Sequence, residues 1–252
     1  MKDMRNLQTH FKIKKRDTSK YAILTGDPFR LDEIKTYLKS TEEIDWKREF
    51  RVVGGNYKGV KVLVVSTGIG SPSTAIVVEE LIKFGTKVLI RVGTCGGAWQ
   101  KNILLGSFII PLACIRDEGT TKEYISLKFP AVADLEVVNT LVKNAEKRGV
   151  KYFVGINRTH DAFYNTDADL SKWLDLPIIS SEMETSSLFV ISTLRKVKSG
   201  AVLAVNAKPE PIKKILKNKI IQIEISEKIT KKLIDEAFKI ALETILDLSK
   251  KI

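Results

Sequence analysis

The sequence predicts an α/β protein, and three observations carry that reading. Short runs rich in β-branched residues alternate along the chain with longer segments whose apolar residues recur at helical spacing. With 252 residues, of which 44% are hydrophobic, the chain can bury a sizeable core and is expected to form one domain over 1–252. No internal repeat, low-complexity linker or composition break divides it.

Taken in order, strands are expected at 21–25, 61–67, 88–92, 107–111, 151–156 and 201–206, each short and β-branched. A helix is expected over 73–84, where Ile76, Val77, Leu81 and Ile82 share a face and Pro72 suits a first turn. A second covers 134–148, with Leu135, Val138, Leu141, Val142 and Ala145 in phase, and a third covers 226–249, with Ile229, Leu233, Ala237, Ile240, Ala241 and Leu248. The segments 119–130 and 165–177 read as long loops, which in compact domains tend to carry function.

Composition excludes several function classes. The longest apolar stretches fall short of a membrane span and residues 1–15 are too polar for a signal peptide, so a cytoplasmic protein with no membrane partner is expected. Two cysteines, Cys95 and Cys114, cannot build a disulfide framework, and with only two histidines no zinc cluster and no metal dependence are expected. The net charge is +12, from 42 basic and 30 acidic residues. The lysine clusters at 12–16 and 213–219 are not interleaved with the aromatics that single-strand binders stack on bases, so no nucleic-acid partner is expected. A basic surface also attracts small anions.

Two glycine-bearing turns, each accompanied by an arginine at a strand end, point to such an anion. Gly26-Asp27-Pro28-Phe29-Arg30 follows the first strand, and Arg91-Val92-Gly93-Thr94-Cys95-Gly96-Gly97 overlaps the end of the third. Backbone N–H groups of a turn and a nearby guanidinium together cradle a phosphate. Neither a G-x-x-x-x-G-K-[ST] loop nor a G-x-G-x-x-G fingerprint is present, so free phosphate fits better than a nucleotide.

Seven motifs in register then carry a family resemblance over nearly the whole chain. They are His10-Phe11-x-Ile13-x-Lys15, Gly26-Asp27-Pro28-x-Arg30, Arg48-Glu49-Phe50, the run from Ser66 through Gly68 and Gly70 to Ser73, Arg91-Val92-Gly93-Thr94, the run from Phe129 to Asp134, and Glu182-Met183-Glu184-Thr185. This pattern resembles the hexameric nucleoside phosphorylase family, which holds the uridine phosphorylases and the bacterial-type purine nucleoside phosphorylases. It is closer to the uridine enzymes at several motifs. The resemblance implies a three-layer αβα sandwich with a central mixed sheet and a homo-oligomer, a hexamer in the family. It also implies phosphorolysis of a nucleoside to free base and ribose 1-phosphate in salvage or catabolism, with inorganic phosphate as co-substrate and no cofactor.

Site roles follow by the same resemblance. Gly26, Arg30, Arg91 and Thr94 would hold phosphate, with Arg48 reaching in from a neighbouring subunit. Glu184 would accept from the ribose 2′-hydroxyl with Met183 under the sugar, although a carboxylate there also suits a helix start. His10 would contact the 5′-hydroxyl in the neighbour's site, or be an ordinary exposed histidine. Phe163 would stack on the base, or lie in the core. The His160-Asp161 pair receives no catalytic role.

Base recognition departs from the family pattern. The purine enzymes carry an aspartate where this chain has Asn206, and an amide cannot act as the acid for a purine N7. The uridine enzymes carry asparagine there, but they read uracil with a glutamine and an arginine in a loop that here is Asn165-Thr166-Asp167-Ala168-Asp169. Uridine is the leading substrate and a purine nucleoside the alternative. A hydrolytic nucleosidase, which needs no phosphate site, and a non-catalytic binder stand further off.

Overall fold

The computed structural model describes residues 10–97, 100, 102–164, 173, 175–212 and 219–251, the stretches 209–212 and 219–223 by backbone alone. The lysine cluster at 213–219, apart from the backbone of Lys219, and most of the expected loop at 165–177 lie outside the described residues.

The chain runs β1 (Tyr21–Thr25), α1 (Arg30–Lys35), β2 (Lys39–Lys47), β3 (Phe50–Tyr57), β4 (Val60–Ser66), α2 (Ser71–Lys83), β5 (Val88–Cys95), β6 (Phe108–Asp117), α3 (Thr120–Tyr124), β7 (Ala131–Val132), α4 (Leu135–Lys147), β8 (Tyr152–His160), β9 (Ile178–Glu182), α5 (Thr185–Leu194), β10 (Lys198–Val205), β11 (Ala207–Ile212), β12 (Lys219–Glu224) and α6 (Glu227–Ser249). All six expected strands and all three expected helices are present, with ends shifted by a few residues. The exception is at the ends of β6 and β8, which run several residues further than their apolar runs. The segment 119–130, expected as a loop, contains α3. The Arg116 guanidinium holds that segment by donating to the carbonyls of Thr121, Ser126, Phe129 and Ile125 and to the Thr121 hydroxyl.

The main sheet is mixed, in the order β2-β3-β4-β1-β5-β10-β6-β8-β9, with β7 on β6. Strands β4, β1, β5 and β10 run parallel, and β6 enters antiparallel to β10. A two-bond bridge, Gly96 N–H to Ser181 O at 3.0 Å and Ser181 N–H to Gly96 O at 2.8 Å, ties β9 back to the end of β5. That bridge closes β5, β10, β6, β8 and β9 into a ring, so that the end of β9 lies over the end of β5.

Strand alternation builds the three layers. Tyr21, Ile23, Ile90, Val202 and Ala204 point to one face and pack with Ile34 of α1, Leu141 of α4 and Phe238 of α6. Ala22, Leu24, Leu89, Leu203 and Val205 point to the other and pack with Leu81 of α2 and Phe189 of α5. Central strands buried on both faces read as continuous apolar runs, which is why the sequence displays them clearly. No helix among the described residues is long and apolar enough to cross a membrane.

Helix α4 sits directly on β10. A Cβ added at Gly200 would stand 2.5 Å from Val137 Cγ1 and 3.2 Å from Leu141 Cδ1. Gly200→Ala is expected to cost about 1–3 kcal/mol through overpacking, read as a lower urea midpoint at unchanged m-value. An unchanged midpoint would show that α4 is not seated there.

Candidate active site

The C-terminal ends of β1, β5, β9 and β10 and the turn after β4 open into one cavity of about 1090 Å³. Gly26, Arg30, Arg91, Thr94, Phe163, Met183, Glu184 and Asn206 all line it. Eight residues named from sequence thus converge from five separate stretches of chain. His10 and Arg48 do not line this chain's cavity. His10 donates its backbone N–H to Glu80 Oε1 at 2.7 Å, its Nδ1 lies 2.9 Å from the same oxygen, and its ring meets Phe50 edge-on. Arg48 is exposed at the β2–β3 turn with φ 56°.

At the floor of the cavity, Arg91 is only 4% exposed although it carries a charge. Its side chain folds back along β5 over Gly93, where an added Cβ would stand 2.9 Å from Nη2 and 3.1 Å from Cζ. The Arg-Val-Gly spacing therefore makes room for the guanidinium. Nε donates to Glu182 Oε2 at 3.1 Å and Nη2 to Glu184 Oε2 at 2.5 Å. Nη1 is buried and has no partner among the described residues. A buried donor left unpaired costs about 1–3 kcal/mol, and an anion is the natural acceptor for it. These are not the contacts of a surface salt bridge.

Beside Arg91, the Gly26 turn is held by its neighbours. Gly68 N–H donates to Gly26 O at 3.0 Å, the Asp27 carboxylate accepts from Phe29 N–H at 2.8 Å, and the buried Arg51 donates to Pro28 O at 2.9 Å. Arg30 then faces the cavity from the start of α1, half-buried. Burial holds its pKa below the ordinary arginine value, partly offset by Asp27 and reinforced by the like charge of Arg91.

Glu184 precedes α5, but its side chain makes no cap bond to that helix. Instead Oε1 accepts from the N–H of Gly70, the N-cap of α2, at 2.6 Å, and Ser71 Oγ donates to Met183 O at 3.0 Å. Glu184 does stand at the start of α5, as the helix-start reading has it, but its carboxylate serves another helix, whose free N–H groups favour a carboxylate. Oε2 accepts from both Arg91 Nη2 and Met183 N–H, the latter at 3.3 Å, so Oε1 is the oxygen that retains a lone pair for a hydroxyl. Burial pushes the Glu184 pKa up, Arg91 pulls it down, and the Glu182 charge raises it again, with a net upward shift. Glu182 is also buried, but Arg91, the Thr159 hydroxyl and nearby N–H groups hold its pKa down.

Phe163 is 65% exposed and meets Tyr164 edge-on at 5.2 Å, so it does not belong to the core. Asn206 sits where β10 ends, its N–H donating to Cys95 O at 3.1 Å and its carbonyl accepting from Ile225 N–H at 3.0 Å.

Sequence reasoning missed several polar lining residues, among them Glu49, His160, Glu182 and Glu224. His160, set aside as one half of a His-Asp dipeptide, lines the cavity while Asp161 turns away to accept from Gly119 N–H at 2.8 Å. Burial and then Arg158 push the His160 pKa down. No signal in the sequence placed His160 at a strand end, because β8 extends past the apolar run that announced it. Among the described residues no group of three His, Cys, Asp or Glu side chains is placed to hold a metal.

Comparison with known proteins agrees with this geometry. The sequence profile of the Phosphorylase superfamily matches residues 20–243. A uridine phosphorylase of Thermococcus kodakarensis is 39% identical over 218 residues, covering 80% of this chain and 77% of that protein. A purine nucleoside phosphorylase of Plasmodium vivax is 34% identical over 248 residues, covering 97% and 98%. The crystal structure of uridine phosphorylase from Vibrio fischeri superposes with a TM-score of 0.82 at 31% identity, covering 97% of this chain and all of that one.

The raised pKa of Glu184 has a consequence for stability. A carboxyl that binds its proton more tightly in the folded state contributes stability below its unfolded pKa, and that contribution is lost as pH rises through the folded value. Relative to the parent, Glu184→Gln should therefore gain unfolding free energy as pH is raised from about 4 to 7. Urea titrations across that range measure the slope, and a relative loss with rising pH would contradict it.

Proposed function

Because the chain belongs to the Phosphorylase superfamily, we propose that it cleaves a nucleoside, uridine in the leading case, with inorganic phosphate to give free base and ribose 1-phosphate. It does so as a cofactor-free, homo-oligomeric cytoplasmic enzyme of nucleoside salvage or catabolism. The observation that carries this reading is the buried Arg91 guanidinium, whose Nη1 lacks an acceptor, in one cavity with Arg30, the Gly26 turn and Glu184.

Phosphate lies against Arg91, Arg30, Thr94 and the Gly26 backbone, below C1′ of the sugar. The 2′-hydroxyl donates to Glu184, Met183 packs its soft thioether under the furanose, and Phe163 covers the base. As the bond from C1′ to the base nitrogen breaks, its electron pair leaves with the base, and C1′ passes through an oxocarbenium-like state. A phosphate oxygen then bonds to C1′, and the base nitrogen takes up a proton. Guanidinium groups fixed before the reaction hold the anionic nucleophile without reorganisation, an effect worth about 10² to 10³ in rate for one such contact.

Asn206 favours uridine. An amide cannot donate the proton that a purine N7 would take, and a uracil leaving group needs none there because its carbonyls spread the charge. The purine reading is supported by relatives such as the Plasmodium vivax enzyme and by the absence of glutamine and arginine from 165–169. His10 and Arg48 complete the site from a neighbouring subunit, consistent with their position outside this chain's own cavity.

The decisive assay measures base release from uridine, thymidine, inosine, adenosine and methylthioadenosine with and without phosphate. Release should require phosphate and saturate with it, and Arg91→Ala should lose roughly 10² or more in kcat/KM. Equal rates in phosphate-free buffer would mean hydrolysis, and faster turnover of inosine than of uridine would move the assignment to purines.

A shared site makes a separate demand. Mixing Arg48→Ala protomers with Arg91→Ala protomers should restore part of the activity, since a mixed pair assembles one intact site. No recovery despite subunit exchange, followed by mass spectrometry, would show that each chain works alone.

A further inference from the structure

Glu182 is buried to 6% exposure, and its contacts go beyond the free N–H groups at the start of α5 that it accepts from. It lies at the end of β9, brought over β5 by the Gly96–Ser181 bridge. Its two oxygens collect donors from three elements. Oε1 accepts from Asn157 Nδ2 at 2.9 Å and Thr159 Oγ1 at 2.8 Å, both on β8. Oε2 accepts from the backbone N–H groups of Glu184 and Thr185, each at 2.9 Å, and from Arg91 Nε at 3.1 Å. Asn157 is itself fixed by Ser180 Oγ, which donates to its Oδ1 at 2.7 Å. A carboxylate with this many fixed donors has one rotamer and one charge state, and it imposes an orientation on whatever it holds.

What it holds is the Nε edge of Arg91. With Nε on Glu182 and Nη2 on Glu184, the guanidinium plane cannot turn about its long axis, and Nη1 is the group left for an anion. We infer that Glu182 is a positioning residue for phosphorolysis: through Arg91 it presents Nη1 to phosphate, and it keeps that presentation when substrate draws on Glu184. This inference rests on the proposed function, since it takes phosphate to be the anion.

Division of labour between the two carboxylates explains why both are needed. If Glu184 alone held Arg91, its bond to the ribose hydroxyl and its bond to the guanidinium would compete, and each binding event would release the arginine. Glu182 has no room for a substrate hydroxyl, because protein donors fill its lone pairs. It therefore acts as a permanent counter-charge, and Glu184 is free to respond to the sugar. The groups that face Glu184 are Arg91 on β5, Glu182 on β9, Arg30 on α1 and the Gly70 amide at the start of α2. Replacing Glu182 by a neutral residue removes the one like charge among them.

The test is calorimetric titration of inorganic phosphate into the parent, Glu182→Gln and Thr159→Val at pH 7 without nucleoside, followed by steady-state kinetics across pH 5–8. Glutamine keeps the size but turns an NH₂ group toward donors, so Arg91 loses its fixed edge. Glu182→Gln should weaken phosphate binding roughly 10- to 100-fold, as a displaced positioning contact does. The KM for phosphate should rise more than that for nucleoside, and the acid limb of kcat/KM should move to lower pH because Glu184 no longer faces a like charge. A purely structural role would lower the unfolding midpoint and leave that limb in place. Thr159→Val, which removes one donor to Glu182 and keeps the shape, should weaken phosphate in the same direction by a smaller factor, and it decides the matter if Glu182→Gln does not fold. Phosphate affinity within about twofold of the parent in the folded variants would overturn the inference while leaving the proposed function intact. No phosphate binding by the parent itself would overturn both.

Discussion

A buried positive charge organises this molecule. Arg91 lies midway along β5, an inner strand of the parallel set, in surroundings where an unpaired guanidinium would be prohibitive, and two carboxylates distant in sequence come to it. Removing one partner from such a buried pair costs about 3–5 kcal/mol, because the other charge is left uncompensated. The triad of Arg91, Glu182 and Glu184 carries one negative charge in excess. Arg30, close enough to sense both Arg91 and Glu184, brings the floor of the cavity to neutrality before any ligand arrives. An incoming phosphate anion is thus received by guanidinium groups whose charges are already balanced, and it needs directed N–H bonds more than net attraction.

The topology exists to make that cluster. Four parallel strands deliver Gly26, Arg91 and Asn206 to one edge of the sheet, as parallel strands deliver ligand sites in α/β folds generally. They cannot deliver Glu182 and Glu184, which lie at and just past the end of β9, on the far side of the antiparallel β10–β6 step. The Gly96–Ser181 bridge does so by curling β9 back over β5. Through Glu184 the cluster then reaches the start of α2, so the two helices that cover one face of the sheet, α2 and α5, start at one ionic centre.

Legibility in the sequence followed burial and locality. The two-face-buried strands β1, β5 and β10 and the amphipathic α4 and α6 announce themselves. Strand β2, Lys39–Lys47, is exposed along most of its length and carries its charges on an edge, so no apolar alternation marks it. Strand β3 carries a Gly54-Gly55 pair that reads as a turn, although the chain passes through it extended. At the site, Arg91 and Glu184 were legible because each lies in a compact motif. Glu182 lies in the same motif as Glu184 and still went unnamed, because its function is a contact 91 residues away in sequence and only the closed ring creates that contact. His160 was passed over for the same kind of reason.

The two halves of the cavity are built to different standards, and this bears on why the substrate base is the hardest feature to read. Its anion and sugar half rests on strand ends and buried ions, where one displaced atom disturbs several bonds. The half proposed to hold the base rests on Phe163 and Tyr164, both largely exposed, and on Asn206 and Glu224, which flank the paired strands β11 and β12. A rigid scaffold with a variable rim allows the chemistry at C1′ to stay fixed while the rim adapts to different bases. The relatives of this chain act on uridine, guanosine and other purine nucleosides under one fold. In such a design the residues fixed within compact motifs leave a pattern in the sequence, and residues on an exposed rim with few contacts to the rest of the chain do not.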